Sequence, residues 1–276
     1  MEKGDIMKKD KIAIMYDFDK TLSPKDMQEF SYFKEIGTNP DDFWSLANSV
    51  SANEKMDPIL TYMLMMIKFT PNLTKEDLNK SGEAIELFPG VESWFDRINK
   101  YGDNNGIEIE HYIISSGLQE MIEGTTIRNE FKKIYACRYV YNDAGHAMWP
   151  ARVVNYTTKT QYIFRINKGV LDENNDVDLN KSTPEEARPI PYDRMIYIGD
   201  GFTDVPSMKV VSQYGGYTIA VYKDEKSKGE LAGQLYHDKR AQFLISADYR
   251  ENSQMETVIK GIIDVIAKAT TLDNYR

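Results

Sequence analysis

The string Asp17-Phe18-Asp19-Lys20-Thr21 stands directly after the apolar run Lys11–Tyr16. Two carboxylates two positions apart share one side of a continuing strand, and a sharp turn there can direct both into one pocket. A carboxylate can attack phosphorus to give an acyl-phosphate. A neighbouring carboxyl that its surroundings keep protonated can donate to the leaving oxygen and later deprotonate the hydrolytic water. Asp-x-Asp alone also describes a strand end with solvated acids, so the full string carries the signal. A second string, Gly199-Asp200-Gly201-Phe202-Thr203-Asp204, follows Met195–Ile198 in the same way. Its glycines permit a tight turn and close approach of backbone to a ligand. Magnesium takes hard oxygen ligands and keeps waters and substrate phosphate in its octahedron. Asp17 and Asp200 would offer carboxylates, and Asp19 its backbone carbonyl. Asp204 could contact the metal, orient a metal-bound water, or cap the helix whose first turn holds Pro206.

The elements that must position these groups are short, nearly continuous apolar runs separated by helical stretches. Lys11–Tyr16, Ile107–Ile114, Met195–Ile198 and Tyr217–Tyr222 read as buried parallel strands of an α/β, Rossmann-like sheet. Ligands of such sheets bind beyond the carboxyl ends of the strands, where the first three runs each deliver a polar cluster. Residues 23–88 read as an inserted helical cap, with starts at Ser23-Pro24, Asp57-Pro58 and Thr74 with Asp77; residues 1–22 and 89–276 form the core. Further along, the sequence predicts a helix over Leu118–Lys133 and a hairpin within Ala136–Tyr156. A second helix is expected over Thr158–Lys168, stopping at Gly169, then an exposed loop over Leu171–Asp193 and a last helix over Ser253–Ala269. No internal repeat is present.

Taken in order, these strings resemble the four motifs of the haloacid dehalogenase (HAD) superfamily. Motif two, a Ser or Thr ending an apolar strand, is matched by His111-Tyr112-Ile113-Ile114-Ser115; motif three, a Lys near a helix start, is matched by Lys159 in Thr157-Thr158-Lys159-Thr160. The resemblance runs from Ile12 to about Val221. It implies that Asp17 is the nucleophile, Asp19 the general acid/base, and Lys159 the cation that neutralises the nucleophile and the transferring phosphoryl group. Thr21 would support the turn, and Ser115 would bind a phosphate oxygen, with Ser116 a close rival and Gly117 beside them. It implies Mg²⁺ held by Asp17, Asp19, Asp200 and Asp204. A lysine at a helix N-terminus opposes the helix dipole and needs an anionic partner, which agrees with the role of Lys159. Lys168, next to Gly169, reads instead as a favourable C-terminal charge. Dehalogenases of the superfamily lack the second Asp, so Asp19 favours phosphate-ester chemistry.

An insertion between motifs one and two resembles the C1 caps of phosphoserine phosphatases, which use a Glu after motif one and a cap Arg to hold the amino acid. Here Asp26 and Glu29 follow motif one, and no arginine occurs between Thr21 and Phe88. A carboxylate-bearing substrate would lack its bidentate partner. Phe30, Tyr32, Phe33, Phe43, Trp44 and Tyr62 read as the cap's own small core, or as a cage for a quaternary ammonium or a stacking surface. Asp172, Asn174, Asp176 and Asp178 mimic a calcium loop, but Val177 and Thr183 stand where it needs Gly and an acid. His111, His146 and His237 have no zinc spacing.

Composition bounds the rest. Of 276 residues, 41% are hydrophobic and 28% charged, the balance of an ordinary globular chain. A net charge of -9 argues against nucleic acid or an anionic membrane surface as a partner. The densest apolar stretch, Ile59–Phe69, is too short to span a bilayer, and the first apolar run is too short for a signal-peptide core. Cys137 is the only cysteine, so no intrachain disulfide can form. The expectation is a cytoplasmic, Mg²⁺-dependent phosphatase acting on a small phosphorylated metabolite. The alternatives are a phosphotransferase using the same intermediate and a non-catalytic binding module.

Overall fold

The computed structural model describes residues 10–229 and 231–273; the expected core's residues 1–9, 230 and 274–276 lie outside them. Among the described residues seven strands make one sheet: Asp10–Tyr16 (β1), Ile107–Leu118 (β2), Lys133–Tyr141 (β3), Ala147–Arg152 (β4), Met195–Gly199 (β5), Tyr217–Tyr222 (β6) and Phe243–Ser246 (β7). Their order is β4-β3-β2-β1-β5-β6-β7, and only β4 runs antiparallel to its neighbour. This is a doubly covered α/β sheet. Ile12 to Tyr16 of the central β1 are fully buried, which is why that strand reads as a continuous apolar run rather than an alternating one. Helices cross the sheet in packed pairs, Val91–Asn104 with Gln254–Asp273 and Lys159–Lys168 with Val205–Gln213. The first pair is pinned by Arg97 Nε to Glu256 Oε1 at 2.9 Å and by the Tyr101 hydroxyl donating to Asp264 at 2.8 Å.

Between β1 and β2, residues 23–88 contribute helices and no strand: Tyr32–Glu35, Pro40–Glu54, Pro58–Phe69 and Lys75–Glu83, after a 3-10 turn at Met27–Glu29. Asp57 caps the third of these, its Oδ1 accepting from Ile59 N and Leu60 N. Thr74 and Asp77 form a reciprocal capping box on the fourth. Ser23-Pro24 starts no helix; instead Ser23 bridges to Asp19, and the N–H groups of Thr21, Leu22 and Ser23 all aim at the carbonyl of Phe18. The insertion's rings pack on each other, Phe33 on Phe43 at 4.8 Å and Phe43 on Trp44 at 5.3 Å between centroids.

One element is shorter than expected, and one exposed stretch carries more structure than expected. The helix expected over Leu118–Lys133 is Gln119–Glu123 with a separate 3-10 turn at Arg128–Glu130, and β2 runs through Ser115-Ser116-Gly117 to pair Leu118 with Cys137. Gly124 then lies so close to Asn79 of the insertion's last helix that a Cβ there would overlap Asn79's carbonyl oxygen. The stretch Leu171–Asp193 carries a short helix, Asp176–Asn180, and is tied down by Arg165, whose guanidinium donates to the carbonyls of Asp172 and Glu173.

Candidate active site

Tyr16 at the end of β1 pairs with Ile113 of β2 on one side and Ile198 of β5 on the other, so Ser115, Asp17 and Asp200 arrive at one edge of the sheet. The turn after Asp17 is tight. Lys20 sits at φ 58°, a left-handed conformation unusual for a residue with a side chain. Lys20 also reaches Asp26 at 2.8 Å, which holds the turn against the start of the insertion. Asp17 Oδ1 accepts from its neighbour Phe18 N at 2.7 Å, and Asp19 Oδ1 accepts from Met27 N at 2.9 Å. Gly117 leaves the room this needs, since a Cβ there would fall 3.1 Å from Asp19 Oδ2 and nearer still to the Met27 side chain.

Lys159 is the first residue of its helix and is fully buried. Its Nζ lies 2.9 Å from Asp17 Oδ2 and 2.7 Å from Asp204 Oδ1. The helix start is fixed by Asn155, whose Oδ1 accepts from Thr157 N and Thr158 N, and Asn155 Nδ2 donates to Asp57 of the insertion at 2.9 Å. Asp204 makes no cap hydrogen bond to the helix that follows it. Its Oδ1 also accepts from the Tyr197 hydroxyl at 2.8 Å, and its Oδ2 from Gly201 N at 3.2 Å. Ser115 Oγ accepts from Gly117 N at 3.1 Å, so its own hydrogen is free to donate. Ser116 Oγ is buried without a partner.

A cavity of about 320 Å³ lies over this edge, lined by Asp17, Asp19, Ser115, Ser116, Gly117 and Asp200 among others. Lys159 and Asp204 lie beneath it. Thr21 does not line it: the residue is fully buried, its Oγ1 has no partner, and its carbonyl accepts from the Tyr249 hydroxyl, so its contacts serve the turn. Sequence reasoning missed Tyr197, which an unbroken buried strand hides, and the ion pair of Lys20 with Asp26. His111 lies away from the edge, between Tyr16 and Asn99, and burial pushes it down to about 3, so it is neutral. Burial likewise pushes the Cys137 thiol up to about 11.

Burial raises three of the acids at this edge. Burial, then the charges of Asp26 and Asp17, hold the Asp19 carboxyl well above the ordinary range. Asp200 is raised by burial and by Asp204 and Asp17. Asp17 is raised by burial, although Lys159 opposes the shift. Among the described residues, Asp17, Asp200 and Asp204 offer oxygens that all lie within 4.8 Å of one another. Among the described residues, Lys159 is the one cation with an ion pair to this set. Three crowded carboxylates against one ammonium leave an excess of negative charge that a divalent cation fits, and hard oxygen donors suit Mg²⁺.

A model of the haloacid dehalogenase-like hydrolases matches residues 14–209. An uncharacterized protein of Borreliella burgdorferi is 27% identical over 277 residues, covering 88% of this chain and 93% of its own. A substrate-bound phosphoserine phosphatase shares the fold with a TM-score of 0.56 and 16% identity, over 88% of this chain and 97% of that one. A HAD family hydrolase of Salmonella enterica serovar Typhi aligns with a TM-score of 0.54 and 18% identity; the match covers 80% of this chain and 65% of that one. Among the described residues, no helix is long and apolar enough to cross a membrane.

Proposed function

The chain belongs to the haloacid dehalogenase-like hydrolases, and from that premise we propose that it is a phosphatase that hydrolyses a small phosphomonoester through an aspartyl-phosphate on Asp17. The single observation that carries this reading is the buried Asp17–Lys159–Asp204 chain beneath a cavity that Asp19, Ser115 and Asp200 also line. Asp17 attacks phosphorus, and the bond from phosphorus to the ester oxygen breaks. Asp19, kept protonated by burial and by its acidic neighbours, gives its proton to the departing alkoxide. It then takes a proton from the water that cleaves the aspartyl-phosphate, which releases phosphate and restores Asp17. Lys159 balances charge on Asp17 throughout, and Ser115 and Ser116 donate to phosphoryl oxygens.

Asp17 and Asp200 would hold Mg²⁺ by their carboxylates and Asp19 by its backbone carbonyl. Asp204, engaged by Lys159, Tyr197 and Gly201, completes the acidic set and keeps Lys159 in place. When bound, the ion supplies positive charge to the phosphoryl oxygens and to the crowded carboxylates. Residues 23–88 act as a cap that excludes water during the reaction.

Hydrolysis of para-nitrophenyl phosphate with Mg²⁺, stopped by EDTA and restored by adding the ion back, is the expected result. No turnover under any divalent ion would sink the proposal. A phosphotransferase would instead yield phosphorylated alcohol when an acceptor is added, which product analysis detects.

The raised acids make a second, independent prediction. Asp17, Asp19 and Asp200 each bind a proton more tightly folded than unfolded. Their contribution is therefore present below the ordinary carboxylate pKa of about 4 and is lost as pH rises through the raised values. In EDTA the melting temperature should fall as pH climbs from ~5 to ~8. Mg²⁺ should raise it more at the upper end, because the ion binds the deprotonated oxygens. A metal-induced shift of equal size at both pH values would count against the ligand assignment.

A further inference from the structure

Lys159 stands at the start of a helix, where a cation is disfavoured, so the loop before it must hold that start in place. Asn155 does this with two groups. Its Oδ1 accepts from Thr157 N at 3.1 Å and Thr158 N at 2.9 Å, and its backbone carbonyl accepts from Lys159 N at 2.9 Å. A carboxamide accepts through its oxygen and donates through its nitrogen. With Oδ1 committed to the helix start, Nδ2 meets Asp57 Oδ2 at 2.9 Å, a hydrogen bond strengthened by the carboxylate's charge. The other oxygen of Asp57 accepts from Ile59 N at 2.9 Å and Leu60 N at 3.0 Å, which caps the insertion's helix Pro58–Phe69. One bond between two capping side chains thus joins the helix that carries Lys159 to a helix of the insertion.

The same insertion helix also bears on β2 and β3. The Tyr62 hydroxyl donates to the carbonyl of Ser116 at 2.7 Å, and the carbonyl of Met63 accepts from the Tyr139 hydroxyl at 2.8 Å. Ile59 and Tyr62 line a cavity of about 160 Å³ that Asp19 and Gly117 line as well. A leaving group in that space would press on the helix whose N-cap holds Asn155. Lys159 has little freedom to compensate for a displaced helix start, because it is fully buried with its Nζ between Asp17 at 2.9 Å and Asp204 at 2.7 Å. Misplacing a group that balances charge at the reacting atoms by a fraction of an ångström is enough to slow a reaction.

We propose that Asp57 and Asn155 are positioning residues, whose bond couples the seating of the insertion to the place of the Lys159 ammonium at the nucleophile. The inference rests on the phosphatase reading and adds a means of regulating the same site. Steady-state kinetics on para-nitrophenyl phosphate, with a melting curve on each preparation, test it. Asp57→Asn keeps an oxygen for Ile59 N and Leu60 N but turns a donor toward Asn155. Asn155→Asp keeps an oxygen for Thr157 N and Thr158 N but turns an anion toward Asp57. Each variant retains its own helix cap and loses the bond between the two. Each should lower kcat on the order of tenfold with KM within about twofold of the parent, because Lys159 acts on charge that develops in the transition state. The exchange variant carrying both substitutions re-forms the bond with donor and acceptor reversed, and its kcat should return to within about threefold of the parent. Asp57→Ser, whose hydroxyl can cap the helix but is too short to reach Asn155 as well, should lose kcat as Asp57→Asn does. Parent-like kcat in Asp57→Ser, a loss confined to KM, or an exchange variant that melts like the parent yet is no faster than the slower single variant would each overturn the proposal while leaving the phosphatase reading intact. Should the exchange variant not fold, Asp57→Ser decides alone. A wild-type protein inactive on para-nitrophenyl phosphate would remove the premise itself, and the proposal with it.

Discussion

Asn in place of Asp17 is expected to lower turnover of para-nitrophenyl phosphate by at least about 10⁴-fold, on the scale seen when an enzyme loses its nucleophile. The amide keeps the shape of the carboxylate but its oxygen does not displace an alcohol from phosphorus. Geometry gives the variant good prospects of folding. Its oxygen can still accept from Phe18 N, as Asp17 Oδ1 does at 2.7 Å. Lys159 loses one of two carboxylates and retains Asp204 at 2.7 Å, so the buried ammonium is not stranded. Turnover and a melting curve on the same preparation separate the two effects. A variant that melts cooperatively yet retains activity within tenfold of the parent would refute the nucleophile assignment.

How much of this site could be read from the chain depends on what kind of signal each part leaves. Asp17, Ser115 and Asp200 were legible because each comes at the end of a mostly apolar run, and parallel strands buried on both faces read as such runs. Lys159 was legible because a lysine at a helix start is electrostatically out of place. Tyr197 was not: buried in the middle of β5, it counts as one more apolar residue until its hydroxyl is seen 2.8 Å from Asp204. The four-residue β7 left too little pattern to detect. The length of β2 was hidden because Ser115-Ser116-Gly117 look like a turn, yet the strand passes through them to meet β3. The bland reading of the insertion's aromatic residues fits Phe33 and Phe43, which are buried among other rings. Trp44 and Tyr62 pack on each other and also line a cavity of about 160 Å³ beside Asp19. Periodicity assigns a residue to a face but does not say whether a neighbouring element covers it.

Replacing Lys159 with Met should be the costliest single change to the fold, and its effect should depend on pH. The substitution keeps an unbranched side chain of similar length and removes only the charge and its hydrogen bonds. Asp204 is then 0% exposed, and Asp17 6% exposed, with no cation in contact. Removing one partner of a buried ion pair costs about 3 to 5 kcal/mol, because the remaining charge is stranded rather than merely unpaired. For a chain of this size that corresponds to a fall in melting temperature of roughly 6 to 20 °C. Lys159 now holds the Asp17 carboxyl down against burial and against Asp204; without it the folded pKa of Asp17 rises further. A carboxyl raised in the folded state contributes stability at low pH and loses it as pH climbs. The gap between variant and parent, both in EDTA, should therefore be narrowest near pH 4 to 5, where protons can take the place of the ammonium, and widest above about pH 7. Activity should fall at least about 10²-fold at every pH, since charge balance at the nucleophile is lost with it. A melting difference under ~2 °C that stays flat across this range would mean that the ammonium does not neutralise the acids, and the charge chain inferred for this site would not hold.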